Sequence, residues 1–169
     1  MTDEDHKGTD DRMPQLSMHS PIGDLTLTEE DGAIVALDWG WGRDQDETPL
    51  LRQACDRLDA YFDGAPDDFA DLPLAPHGTP YRQAVWQALR AIPLGETRTY
   101  RDLARQVGGS PRSIGQANGA NPIPILIPCH RVVSTQGLGG YSGDGGLSDK
   151  IYLLDLERAP IPARTSQDA

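Results

Sequence analysis

The sequence is poor in several features that organise many proteins of its size, 169 residues. Cysteine occurs only twice, at Cys55 and Cys129, with no CxxC pair and no histidines at zinc-ligand spacing, so neither a disulfide framework nor a metal site is expected. No apolar run approaches the ~20 residues of a membrane span. The opening Met1-Thr2-Asp3-Glu4-Asp5 lacks the basic and apolar regions of a secretory signal, so a soluble cytoplasmic protein without membrane contact is expected. Positive charge is scarce in the first half: residues 1–80 hold 5 Lys/Arg against 19 Asp/Glu, a balance of −14. Residues 81–169 hold 10 against 7, a balance of +3, although the whole chain stands at −11. Within 81–143, Arg82, Arg90, Arg98, Arg101, Arg105, Arg112 and Arg131 face only Glu96 and Asp102. An anionic partner would therefore meet the second half only; the alternative is a soluble surface with scattered arginines.

What is present divides the chain into two units. Residues 1–13 are polar, charged and aperiodic and read as a disordered tail. Leu16–Ser20, Asp24–Thr28 and Ala33–Asp38 read as short strands separated by turn residues. A helix is predicted over Pro49–Phe62, with Thr48 as N-cap and Pro49 at its first position. Leu51, Cys55, Leu58 and Phe62 share one face of it, so Cys55 is expected to pack in a core. Residues 64–78 carry three prolines and no period and read as a linker. Beyond it, Thr79-Pro80 opens a helix whose apolar stripe is Tyr81, Ala84, Val85, Ala88, Leu89 and Ile92, ended by Pro93. Thr99 and Asp102 form a capping-box pattern ahead of a helix from Tyr100 to Val107. Gly108-Gly109 makes a turn, and Ser110-Pro111 caps a helix running to about Ala120. Two short helices about a glycine turn match a helix-turn-helix outline, with Arg112 at the DNA-facing end of the second; a plain helical hairpin fits the pattern equally.

Pro122–Pro128 is apolar, and its three prolines favour an extended, buried segment. It leads into Cys129-His130-Arg131. A thiol becomes a strong nucleophile as a thiolate, which an adjacent imidazole promotes, although consecutive side chains in extended backbone point to opposite faces. Contact between Cys129 and His130 would need a bend or a bridging water.

The run Asn121-Pro-Ile-Pro-Ile-Leu-Ile-Pro-Cys-His-Arg-Val-Val133 resembles the active-site signature of the O6-alkylguanine-DNA alkyltransferases, the methylated-DNA–protein-cysteine methyltransferases. Gly95–Ala104, Arg112–Gly115, Gly140–Gly143 and Lys150–Glu157 extend the resemblance in family order, over about residues 79–159. It implies a small α/β, ribonuclease H-like domain over 14–75, and a mostly helical helix-turn-helix (winged-helix-like) domain over 76–160. A flexible tail would occupy 161–169. It further implies direct reversal of alkylation damage: an alkyl group passes irreversibly and stoichiometrically from O6 of guanine, and from O4 of thymine, to Cys129. The partner would be double-stranded DNA containing O6-alkylguanine, with no cofactor and no metal, and the protein would be monomeric.

The same resemblance assigns roles. His130 would draw the thiol proton through a water, Glu157 would orient His130, and Asn121 would hold the turn before Cys129. Tyr100 would hydrogen-bond the guanine ring, the carbonyls of Cys129 and Val132 would accept from its amino group, and Ser142 would close over its oxygen. Arg112 would enter the base stack as the lesion swings out, and Arg131 would join the DNA-binding set. The loop Gly140–Leu147 is longer than the family's compact pattern and adds Asp144. Two rival readings exist. Relatives that bind alkylguanine without repair replace the acceptor cysteine, which is present here; a cysteine hydrolase would leave Arg112 and the charge segregation without a purpose.

Overall fold

A computed structural model describes residues 13–139 and 146–162. Of the tails expected at 1–13 and 161–169, residues 1–12 and 163–169 lie outside the described residues, as do residues 140–145 with Ser142 and Asp144.

Three strands form an antiparallel meander: β1 (Gln15–Met18), β2 (Leu25–Glu30) and β3 (Ala33–Trp39), in that order. Leu16 pairs with Leu27 and Leu27 with Leu37, which aligns an apolar row on one face. That row is covered by α1 (Pro49–Phe62), whose buried face is Leu51, Ala54, Cys55, Leu58, Tyr61 and Phe62. Helix α1 begins where its cap chemistry places it: the Thr48 side chain accepts from the Leu51 N–H, and Pro49 needs no partner for the N–H it lacks. On the other face, Ser17 and Thr26 hydroxyls bond each other at 2.8 Å, and both accept from the Gly42 N–H.

The stretch expected to be a linker is fastened at both sides. Arg57 of α1 holds Asp67 and Asp71, Phe69 is buried, and Leu74 pairs with Ile34 of β3. Arg90 donates to the carbonyls of Phe69, Ala70 and Leu72 from the following domain. Lack of periodicity in 64–78 therefore reflects an irregular path, since the backbone there is bound to both domains.

Helix α2 (Pro80–Arg90) buries Val85, Trp86, Ala88 and Leu89. The expected stripe errs at two positions: Ala84 faces solvent, while Trp86 is buried because its indole N–H reaches the Ala117 carbonyl at 2.8 Å. A buried indole with a partner outcompetes an alanine for the interior. Next come β4 (Arg98–Thr99), α3 (Tyr100–Val107) and α4 (Pro111–Gly119). Both helices carry complete capping boxes, Thr99 with Asp102 and Ser110 with Ser113. Gly109, at φ +90°, makes their turn possible: a Cβ there would lie 2.4 Å from the Tyr81 hydroxyl.

Pro122–Pro128 is buried but not extended. Ile125 adopts φ +74°, and the Ile127 N–H returns to the Ile123 carbonyl. Prolines exclude the segment from a ladder without requiring it to be straight. Cys129–Arg131 then form a 3-10 turn, β5 (Val132–Val133) pairs in parallel with β4, and α5 (Leu147–Leu156) packs against the 3-10 turn. No helix among the described residues is long and apolar enough to cross a membrane.

Candidate active site

Asn121 begins the site. Its side chain accepts from the Ile123 N–H and donates to the Ile127 carbonyl, both at 2.9 Å, which ties the ends of the turn preceding Cys129. It also lies where it acts on the Cys129 thiol, favouring the ionised sulfur. The 3-10 turn supplies the bend that a direct or water-bridged link between Cys129 and His130 would need.

Cys129 is 1% exposed, and burial pushes its thiol up to about 11. The Asn121 side chain and the charge of Lys150 pull in the opposite direction without overcoming burial. The resting group is thus a neutral thiol. Ionisation must accompany the reaction, and it needs a base.

His130 is fully buried, and desolvation lowers its imidazole below the usual histidine range despite the nearby carboxylate. Its Nε2 lies 2.7 Å from Oε2 of Glu157. Burial would raise the Glu157 carboxyl, but hydrogen bonds and charges from His130 and Arg131 hold it at about 2. An ionised carboxylate only accepts, so the imidazole proton sits on Nε2. Nδ1 is left as a lone-pair acceptor, buried and with no hydrogen-bond partner among the described residues. The 3-10 turn therefore carries a neutral base and a neutral thiol on consecutive residues.

Glu157 closes the C-terminal end of α5. Besides His130 it takes Nε of Arg131 at 2.8 Å on Oε1 and Nη2 at 3.1 Å on Oε2. Arg131 also donates to the Ile92 carbonyl and is 3% exposed. This corrects the expectation that Arg131 binds DNA: its guanidinium is spent inside the protein and cannot reach a phosphate. Arg101, Arg105 and Arg112 remain exposed on the α3–α4 unit, with Arg112 in the first turn of α4.

Tyr100, half-buried at the start of α3, lines a cavity of about 280 Å³ with Arg101, Pro111 and Ser134 to Gln136. Gly139 presses on the tyrosine, since a Cβ there would lie 2.8 Å from its hydroxyl; this residue leads into 140–145. The carbonyls expected to read a base are already engaged. That of Cys129 accepts from the Val132 N–H and from Asn118 Nδ2 at 3.3 Å, and that of Val132 accepts from Lys150 Nζ at 2.6 Å.

Lys150 and Tyr61 are the residues that sequence reasoning missed. Lys150 is fully buried, donates to the Val132 and Leu138 carbonyls, and is moved down to about 8 by desolvation. Its place in the Lys150–Glu157 motif was the available signal, but nothing local announced a buried ammonium. Because the folded protein releases this proton at about 8 and an unfolded lysine at 10.5, the unfolded state binds more protons between those values and stability rises with pH there. Cys55 and Cys129, raised to about 11 from 9.0, act in the reverse sense above pH 9. Urea midpoints measured from pH 7.5 to 9 are expected to climb for the wild type relative to Lys150→Met; parallel profiles would refute the depressed ammonium.

Comparison with known proteins gives a consistent result. Residues 16–76 match the family model described as 6-O-methylguanine DNA methyltransferase, ribonuclease-like domain, and residues 80–159 match the DNA binding domain of the same description. A methylated-DNA–protein-cysteine methyltransferase of Methanosarcina barkeri is 42% identical over 151 residues, covering 83% of this chain and 94% of the relative. The constitutive Bacillus subtilis protein of that name is 42% identical over 153 residues, covering 82% and 92%. The crystal structure of the Mycobacterium tuberculosis O6-methylguanine methyltransferase superposes with a TM-score of 0.77 at 36% identity, covering 94% of this chain and all of that one. The mycobacterial protein in complex with DNA gives 0.75 at 41% identity, covering 86% and 94%.

Proposed function

The chain belongs to the 6-O-methylguanine DNA methyltransferase family, and from that premise we propose that Cys129 is the residue that takes the alkyl group. The activity is direct reversal of alkylation damage by transfer to a protein cysteine, and the partner is DNA. The observation that carries the assignment of Cys129 is the neutral imidazole beside it, with Nε2–H committed to Glu157 and Nδ1 open as an acceptor.

In this reading the thiol proton passes to Nδ1 of His130, through a water, as the sulfur attacks the alkyl carbon. The S–C bond forms while the C–O bond breaks, and the electron pair of that bond leaves on the purine. Tyr100 hydrogen-bonds the ring and eases departure of the charge. Lys150, near enough for its charge to act on the sulfur, favours the transient thiolate. Asn121 holds the turn that aims Cys129.

The lesion is O6-alkylguanine, with O4-alkylthymine as a second substrate, rotated out of the duplex because a stacked base hides its alkylated oxygen from a buried thiol. Arg112 fills the vacated stack. The protein acts as a monomer in the cytoplasm, and since a thioether offers no thiol to regenerate, each chain reacts once. A module that binds alkylguanine without repair would have no use for the base poised at His130.

Intact-protein mass spectrometry after incubation with excess duplex carrying O6-methylguanine tests this directly. The chain is expected to gain a single methyl group, mapped to Cys129, and then stop. Multiple turnovers, or a methyl group elsewhere, would overturn the assignment.

A further inference from the structure

The residues assigned to the chemistry lie between 100 and 157, yet the carboxylate that orients His130 is held by another domain. The Tyr61 hydroxyl, in the last turn of α1, donates to Oε2 of Glu157 at 2.5 Å. This is the same oxygen that receives His130 Nε2. Tyr61 is 2% exposed, and its ring is fixed by edge contacts with Phe62 and Phe69. With Arg131 on both oxygens, the carboxylate accepts four hydrogen bonds from three side chains, three of them on Oε2. Tyr61 is its only donor from outside the C-terminal domain among these bonds.

We propose that Tyr61 is a positioning residue for alkyl transfer, acting through Glu157 on His130, so that the N-terminal domain completes the reactive site. The inference rests on the reading of Cys129 and His130 given above. Two effects follow from the geometry. The hydroxyl resists rotation of the carboxylate away from the imidazole, because turning Oε2 would break this hydrogen bond. It also draws charge from Oε2, which weakens that oxygen's hold on the Nε2 proton. A less strongly held imidazole gains less basicity from the carboxylate and stays neutral, in the state that can receive the thiol proton, to a lower pH. Packing of the two domains would require only the ring, whereas these effects require the oxygen.

Tyr61→Phe keeps the ring and removes the oxygen. In single-turnover reactions with a duplex oligonucleotide bearing one O6-methylguanine, its rate at pH 7 is expected to fall by about 10-fold, the scale of one lost hydrogen bond to a charged group. The acid limb of its pH–rate profile is expected to move to higher pH, while affinity for the oligonucleotide is unchanged. Because the effect runs through the carboxylate, Tyr61→Phe added to Glu157→Gln should cost little beyond Glu157→Gln alone. A rate within twofold of wild type, an unmoved acid limb, or additive losses in the double variant would each overturn the proposal. Should Tyr61→Phe fail to fold, Tyr61→Trp and Tyr61→His give the same comparison with a ring donor restored at altered reach, where rates indistinguishable from each other and from wild type would refute it. Wild-type methylation at Cys129 is read separately by mass, so failure here leaves that assignment standing.

Discussion

Glu157→Ala is expected to cost the protein about 3–5 kcal/mol and to reduce alkyl transfer at least about 100-fold. The reason is the number of groups that the carboxylate satisfies at once. Its removal leaves the Arg131 guanidinium buried without this counter-charge, and takes away the acceptor of the His130 Nε2 proton and of the Tyr61 hydroxyl hydrogen bond. A loss of that size is a large share of the roughly 5–15 kcal/mol that holds a domain folded. Reactivity suffers for a different reason: without an acceptor at Nε2 the imidazole proton can shift to Nδ1, the position that must be empty. Urea denaturation and single-turnover kinetics on the same preparation separate the two losses. The acid side carries a second signature. The folded carboxyl titrates at about 2 against an ordinary 4.5, so its stabilisation is complete above about pH 4.5 and is lost as pH falls toward 2. The variant should lack that part of the acid dependence; retention of full stability would show the cluster to be weak.

Arg112→Ala is expected to separate base extrusion from chemistry. Arg112 is exposed in the first turn of α4, beyond contact with the Glu157 cluster, so its removal leaves the reactive groups in place. Unstacking a base costs a few kcal/mol, and a side chain that fills the gap recovers part of it. Transfer from a duplex should therefore slow by about 100-fold, while transfer from the free O6-alkylguanine base stays within about twofold. Equal losses on the two substrates would refute the role in extrusion. Together with the Glu157 variant, this gives two failures of opposite character: one strikes both substrates and the fold, the other strikes the duplex alone.

The helices were the most legible part of the fold because their boundaries are written within four residues. Thr48-Pro49, Thr79-Pro80, Thr99 with Asp102, and Ser110-Pro111 each cap a helix start in the structure. Aspartate serves in the Thr99 box although glutamate or glutamine is usual. Faces were less legible. Ala84 and Trp86 exchange the places periodicity gives them, because the Trp86 indole has a carbonyl to meet on α4. The turn over 122–128 was not legible, since a β-branched residue such as Ile125 carries no signal for positive φ. Arg131 misled for a related reason: an arginine beside the reactive cysteine looks like a phosphate ligand until its carboxylate partner, 26 residues away, is seen.

By itself the sequence determined the meander, the capped helix starts, the motif that carries Cys129 and His130, and the family to which the chain belongs. Each of these is encoded by residues close together in the chain or by a motif read in order. Only the tertiary structure decided the protonation and partnership of the site: that the thiol rests neutral, that Nδ1 of His130 is the open acceptor, that Lys150 is buried and Arg131 unavailable. It also brought Tyr61 to Glu157 across 96 residues. The physical reason is that burial and charge pairing depend on everything packed around a group, and strand and helix periodicities carry no information about which distant side chain completes its hydrogen bonds.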